Sequence, residues 1–144
     1  MPVLLVSGLA GWFGAHSFLD GIFPAKSARG TAIEELQLRE RLLSQKVSIA
    51  AGNYWVAYRL SLIFGENPVV VPSDFGAIRY LPHWEALEKA HRIAVIFSDE
   101  QDSKQSIQSE TADIMEKFPS AVAFRTGPFH GYVFDSDGNF RKRK

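Results

Sequence analysis

Between Tyr54 and Phe64, in the run Asn53-Tyr-Trp-Val-Ala-Tyr-Arg-Leu-Ser-Leu-Ile-Phe64, the only charge is on Arg59 and the only aliphatic hydroxyl is on Ser61. Asn53 can cap the start of a helix with its side-chain oxygen, and Gly65 can take the left-handed conformation that ends one. A helix apolar on nearly every side is buried in a core or in lipid. At about eleven residues it is too short for a bilayer, which takes roughly twenty. The segment predicts a buried helix that carries Tyr54, Trp55, Tyr58 and Arg59 into or beside a core. The valines of Pro68-Val-Val-Val-Pro72 do not alternate with polar residues, as expected of a strand covered on both faces.

The same reasoning extends along the chain. Thr31-Ala-Ile-Glu34 reads as a capping box opening a helix over residues 31–43, with Ile33, Leu36 and Leu43 on its inner side. Residues 46–51 form a short β-branched run, a predicted strand. Pro82 suits the first turn of a helix reaching about Ala90, on which Trp84, Leu87 and His91 share an inner face. Arg92-Ile-Ala-Val-Ile-Phe97 is a third strand. A polar segment, residues 98–106, leads into a helix marked by Ile107, Thr111, Ile114 and Phe118 and ended by Pro119. Residues 121–125 and 129–134, around Gly127-Pro128, read as an antiparallel hairpin. Strands alternating with helices predict an α/β fold: a small three-layer domain with a mainly parallel sheet of about five strands, finished by the hairpin and preceded by an apolar N-terminal helix.

Composition excludes several chemistries. Sixteen basic and sixteen acidic residues cancel, so no overall field favours nucleic acid. The local exception, Arg141-Lys-Arg-Lys144, reads as a solvated basic tail. The absence of cysteine removes disulfides, thiolate metal sites and a cysteine nucleophile. His16, His83, His91 and His130 show no metal-ligand spacing, so neither a metal nor a cofactor is expected. A serine-nucleophile elbow and a phosphate-binding P-loop are both missing.

Residues 3–23 are mostly apolar and admit two readings. In the first, residues 1–24 are the end of a transmembrane helix. Glycines 8, 11 and 14 then suit close helix packing in lipid, and Lys26 and Arg29 mark emergence into water. The domain would occupy residues 25–140 and the basic tail 141–144. In the second, Val3-Leu-Leu-Val-Ser-Gly-Leu-Ala-Gly-Trp-Phe-Gly14 is a strand and a glycine-rich turn. That turn resembles the dinucleotide site of short-chain dehydrogenases, with Gly8, Gly11 and Gly14 against the pyrophosphate. The chain then lacks the second strand with its ribose-binding residue, and no tyrosine is followed four residues later by lysine.

Asn53-Tyr-Trp-Val-Ala-Tyr-Arg-Leu-Ser, Phe64-Gly-Glu-Asn-Pro-Val-Val-Val-Pro and Arg79-Tyr-Leu-Pro together resemble the soluble C-terminal domain of bacterial multi-spanning membrane glycosyltransferases, the mannosyl- and arabinosyltransferase-like enzymes that use lipid-phosphate sugars. The resemblance covers about residues 31–97, and the hairpin more loosely. It departs at Asn53, where an acidic residue is more usual, and at Asn67. In such enzymes the catalytic carboxylate lies in an early extracytoplasmic loop among the membrane helices, a region this chain does not contain. The resemblance implies an accessory extracytoplasmic domain at the bacterial inner membrane. It would have no catalytic residue of its own and would help orient a lipid-linked sugar donor or a glycan acceptor.

Tyr54, Trp55, Tyr58 and Arg59 are the first candidate contacts: aromatic faces stack on sugar C–H surfaces, and an arginine fork binds phosphate. The competing reading makes Tyr54, Tyr58 and Leu62, spaced by four, simply core. Arg79 and Tyr80 are the second, near the carboxyl ends of the strands, where open α/β sheets bind ligands. The alternative there is an arginine holding a loop through Asp74 or Glu85. Asp74, Asp99 and Asp102 follow strand ends without marking any two as catalytic partners. A dinucleotide-binding fragment and a non-catalytic interaction module remain the rival functions.

Overall fold

The structure is a computed structural model that describes residues 25–73, 80–136, 138 and 140, with side chains from Ala32 onward. The chain divides into two compact units, Met1–Ile33 and Glu34–Lys144. The expected apolar helix of residues 1–24, glycines 8, 11 and 14, Asp74, Arg79 and the basic tail lie outside the described residues. Of the first unit only the helical backbone from Ala25 and the side chains of Ala32 and Ile33 are described. The elements in chain order are α1 (Ala25–Ser44), β1 (Ile49–Gly52), α2 (Tyr54–Phe64), β2 (Val69–Pro72), α3 (Leu81–Lys89), β3 (Arg92–Ser98), α4 (Lys104–Lys117), β4 (Val122–Thr126) and β5 (Phe129–Asp135).

The five strands form one sheet in the order β2-β1-β3-β5-β4. β1 runs parallel to β2 and β3, whereas β5 runs antiparallel to both β3 and β4. The expectation of a mainly parallel sheet is therefore corrected: the sheet is mixed, and its longest pairing, Arg92 to Ser98 against Phe129 to Asp135, is antiparallel. A two-residue Gly127-Pro128 connection can join only antiparallel neighbours. Because β5 sits inside the sheet, its reversed direction makes both of its interfaces antiparallel. Glycine is required at Gly131 in β5, where a Cβ would lie 1.8 Å from the Val95 carbonyl oxygen.

Successive strand residues point to opposite faces, and each face carries its own core. Ala50, Val70, Ala94 and Ile96 pack with Leu38 and Leu42 of α1 and with Val56, Ala57, Leu60 and Phe64 of α2. Ile49, Val71, Val95 and Phe97 pack on the other face with Trp84 and Leu87 of α3 and Ile114 of α4. Helices on both sides of the sheet make the three layers that the strand–helix alternation predicts.

Helix positions match the sequence reading better than helix faces do. Asn53 caps α2 through its side chain, and Gly65 closes it at φ 60°. Ser103 likewise caps α4. α1, however, begins at Ala25, so Thr31 lies in its interior and not at its start. The buried face of α1 is Glu35, Leu38 and Leu42, while Ile33 and Leu36 are 60% and 53% exposed. His91 falls beyond the end of α3 and is exposed, so Trp84 and Leu87 alone hold the inner face. β1 starts at Ile49, later than residue 46, because Lys46 has φ 60° and turns the chain out of α1. The largest correction concerns α2, which is not buried all round: Trp55 is 69% and Leu62 84% exposed. A single helical layer over one sheet face covers a helix on its inner side only.

The outer edge of β2 is closed by its sequence. Val69 donates to the Ser48 carbonyl and Ser73 to the Gly52 carbonyl, so the odd residues face β1 and residues 68, 70 and 72 face outward. Pro68 and Pro72 have no N–H to offer. The Ser61 hydroxyl takes both groups of Val70, accepting from its N–H at 3.1 Å and donating to its carbonyl at 2.7 Å. No backbone donor of β2 is left for another strand, a common defence of a sheet edge. Ser61→Ala leaves two part-buried backbone groups unpaired, and its expected cost is about 1–3 kcal/mol in urea unfolding.

Candidate functional site

In an open α/β sheet the usual binding crevice lies outside the carboxyl ends of the strands, where successive connections leave in opposite directions. That point here is between β1, whose chain crosses toward β2, and β3, whose chain continues toward β4 and β5. It is filled by the protein itself. The Asp102 carboxylate accepts from the Ser98 N–H at 2.7 Å and from the Asn53 side-chain amide at 2.8 Å. The Asn53 Oδ1 in turn accepts the Val56 N–H at 2.9 Å. One side chain thus caps α2 and ties the β1–α2 turn to the β3–α4 turn. An entering phosphate would meet a carboxylate already holding the local donors.

This arrangement explains asparagine at position 53. Aspartate caps a helix about as well, but it has no N–H for Asp102 and would place like charges together. Asn53→Asp is therefore expected to destabilise by about 1–3 kcal/mol, the cost of an unmatched polar pair. Adding Asp102→Asn to the same chain restores a donor facing the introduced carboxylate and should recover most of the loss. Additive single effects in a double-mutant cycle would contradict the link.

Asp99, the other aspartate after β3, is committed to the hairpin. It pairs with Arg125 and lies 3.2 Å from His130 Nδ1, while its own N–H donates to the Pro128 carbonyl at 3.0 Å. An open recess of about 500 Å³ beside this cluster is lined by Arg41, Arg125, His130 and Tyr132 among others. Arg125 is bound there to Asp99, and Arg41 donates to the Arg125 carbonyl at 3.0 Å. Asp99 and Asp102 thus anchor loops, and no cluster of metal-ligating residues occurs among the described residues.

The predicted contacts on α2 are distributed over different surfaces. Tyr54 meets Trp55 and Tyr58 edge to face, at centroid distances of 5.0 and 4.8 Å. Trp55 points away from the sheet. Arg59, expected as a phosphate fork, has its Nε 2.7 Å from Oε1 of the buried Glu35 and joins α2 to α1. Arg79 lies outside the described residues. Tyr80 is the residue before α3, 56% exposed, with its ring edge-on to His83 at 4.5 Å.

Tyr58 and Tyr80, far apart in sequence, line the same groove. It measures about 410 Å³ and is also lined by Ser61, Glu66 and His83, over residues 70–72 of β2. Glu66 and His83 are not among the site residues that the sequence predicts. Glu66 follows the glycine that ends α2 and itself has φ 60°, which carries it out of the helix register. His83 stands three residues after Tyr80 and so returns to the same side of the helix start. Among the described residues the groove joins aromatic faces, an imidazole and one carboxylate, a set that can stack on and hydrogen-bond a polyhydroxylated ligand.

Burial raises the Glu35 carboxyl above its ordinary value of 4.5, opposed by the charge and N–H of Arg59 and reinforced by Glu34. The folded state therefore holds this proton more tightly than the unfolded chain. The associated stability is full below about 4.5 and declines as pH rises through the folded value. Measured by urea unfolding across that range, the wild type should lose stability relative to Glu35→Gln as pH increases. Parallel profiles would contradict the assignment.

Among the described residues no helix is long and apolar enough to cross a membrane. Comparison with known protein families, with characterised proteins and with solved structures finds no match to this chain.

Proposed function

We propose that the chain is an accessory, non-catalytic C-terminal domain of a bacterial membrane glycosyltransferase-like protein. It would be held at the extracytoplasmic face of the inner membrane by residues 1–24 and would help orient a lipid-linked sugar donor or acceptor. The observation that supports this reading is the groove that brings Tyr58 and Tyr80 together with Glu66 and His83. Asp99 and Asp102 are engaged in structural contacts, in keeping with binding rather than catalysis. The filled crevice between β1 and β3 weighs against a nucleotide phosphate in this sheet, which leaves the dinucleotide reading resting on Gly8, Gly11 and Gly14 alone.

The test is binding of a short-chain polyprenyl phosphate–mannose and of methyl mannoside to the full chain in nanodiscs, read by ligand-observed NMR. Tyr80→Ala should weaken binding of both by about three- to tenfold, the worth of one aromatic contact. Glu66→Gln should weaken it as well, and the chain alone should transfer no sugar. Binding insensitive to both substitutions, or no binding of either probe, would refute the reading.

A further inference from the structure

The face of α2 turned away from the sheet has no partner among the described residues, and it is apolar. Trp55, Arg59 and Leu62 follow one another at helical spacing, opposite the buried stripe of Val56, Ala57, Leu60 and Phe64. Leu62 is 84% exposed, Trp55 69%, and Ile63 on the flank 37%. The single charge of the stripe, Arg59, is balanced by Glu35 on α1. The Arg59–Glu35 pair and the 2.8 Å hydrogen bond from Arg39 to the Asn67 carbonyl show which flank of α1 is turned toward α2. Leu36, 53% exposed, lies on that flank, one position beyond Glu35 and three before Arg39. Large apolar side chains gathered on one exposed face mark an interaction surface rather than scattered surface hydrophobics.

Three observations select the occupant. The stripe has no uncompensated charge for a charged protein partner to read. It contains tryptophan, which favours the level of lipid headgroups. The helix that carries Leu36 begins at Ala25, directly after the apolar run of residues 3–23. We infer that the outer face of α2, with Leu36 of α1, rests on the membrane–water interface, with Trp55 and Leu62 at the headgroup–acyl boundary. A helix with one such face lies in the plane of the interface, its apolar side about 5–10 Å deep. The choice of lipid as occupant rests on the membrane-attached reading above. It does not depend on sugar binding.

The chain has no cysteine, so a single introduced one can be labelled uniquely. The full chain carrying Leu62→Cys, labelled with an environment-sensitive nitrobenzoxadiazole dye, is reconstituted in phosphatidylethanolamine–phosphatidylglycerol vesicles. Some of the lipid is spin-labelled at the headgroup or high on the acyl chain. Gln108→Cys, on the exposed side of α4, is the control, since its helix covers the other sheet face. The inference predicts blue-shifted emission at position 62 and at least about twofold stronger quenching there than at position 108. A Trp55→Glu substitution should abolish the difference.

Equal, weak quenching at both positions in carbonate-resistant vesicles would overturn this inference and leave the proposed function standing. Blue-shifted emission at position 62 with quenching by the spin-labelled lipid no stronger than at position 108 would also overturn it. The face would then be covered by another part of the chain, or by a second copy if sedimentation showed a dimer. Strong quenching at position 62 without binding of either sugar probe would sink the sugar-orienting role and keep the membrane surface.

Discussion

A side-chain amide, that of Asn53, connects the two turns on which the parallel half of this sheet depends. Its oxygen satisfies the first turn of α2, and its nitrogen reaches Asp102, whose other oxygen holds the Ser98 N–H at the end of β3. The β1–α2 and β3–α4 connections thereby share one hydrogen-bond chain. Buried polar groups tied in this way are costly to leave half made, which gives such a network its specifying power. The direction of α2 follows from it: with the start of the helix fixed, Val56, Ala57, Leu60 and Phe64 fall on the sheet. Ser61 then falls on the edge of β2, where it completes the backbone bonding of Val70.

The fixed helix also sorts its remaining side chains. Toward the β2 edge lie Tyr58 and Ser61, which open onto the groove with Glu66, Tyr80 and His83. Toward α1 lies Arg59, engaged by Glu35. Between them, facing outward, stand Trp55 and Leu62. An eleven-residue helix therefore supplies part of a core, one wall of a groove and an apolar surface. This accounts for its composition better than burial on every side, which the structure does not provide.

How far the sequence foretold this differs from element to element. Caps and breakers act locally, so Asn53, Gly65, Pro82 and the Gly127-Pro128 turn placed their elements correctly. Faces are decided by what a helix packs against, and there local reasoning failed. The apolar Ile33 and Leu36 suggested the inner side of α1, yet Glu35 is the buried residue because Arg59 on α2 compensates it. The parallel count failed for a similar reason: nothing in residues 121–134 shows that β5, not β4, pairs with β3. In the groove, Tyr58 was legible as an aromatic on the α2 helix and Tyr80 as one just before the Pro82 helix. Glu66 and His83 were not, because only the fold of α2 against the β2 edge brings them to the same groove. Arg59 had the right chemistry for a ligand and the wrong surroundings.

The central claim concerns where ligand is held: at the β2 edge groove and not at the carboxyl ends of β1 and β3. Hydrogen exchange of the full chain in nanodiscs, with and without a short-chain polyprenyl phosphate–mannose, addresses this directly. Binding at the groove predicts ligand-dependent protection in residues 58–72 and 80–83, with residues 98–103 and 125–130 unchanged. Protection centred on residues 98–103, or no change anywhere on the sheet, would contradict it.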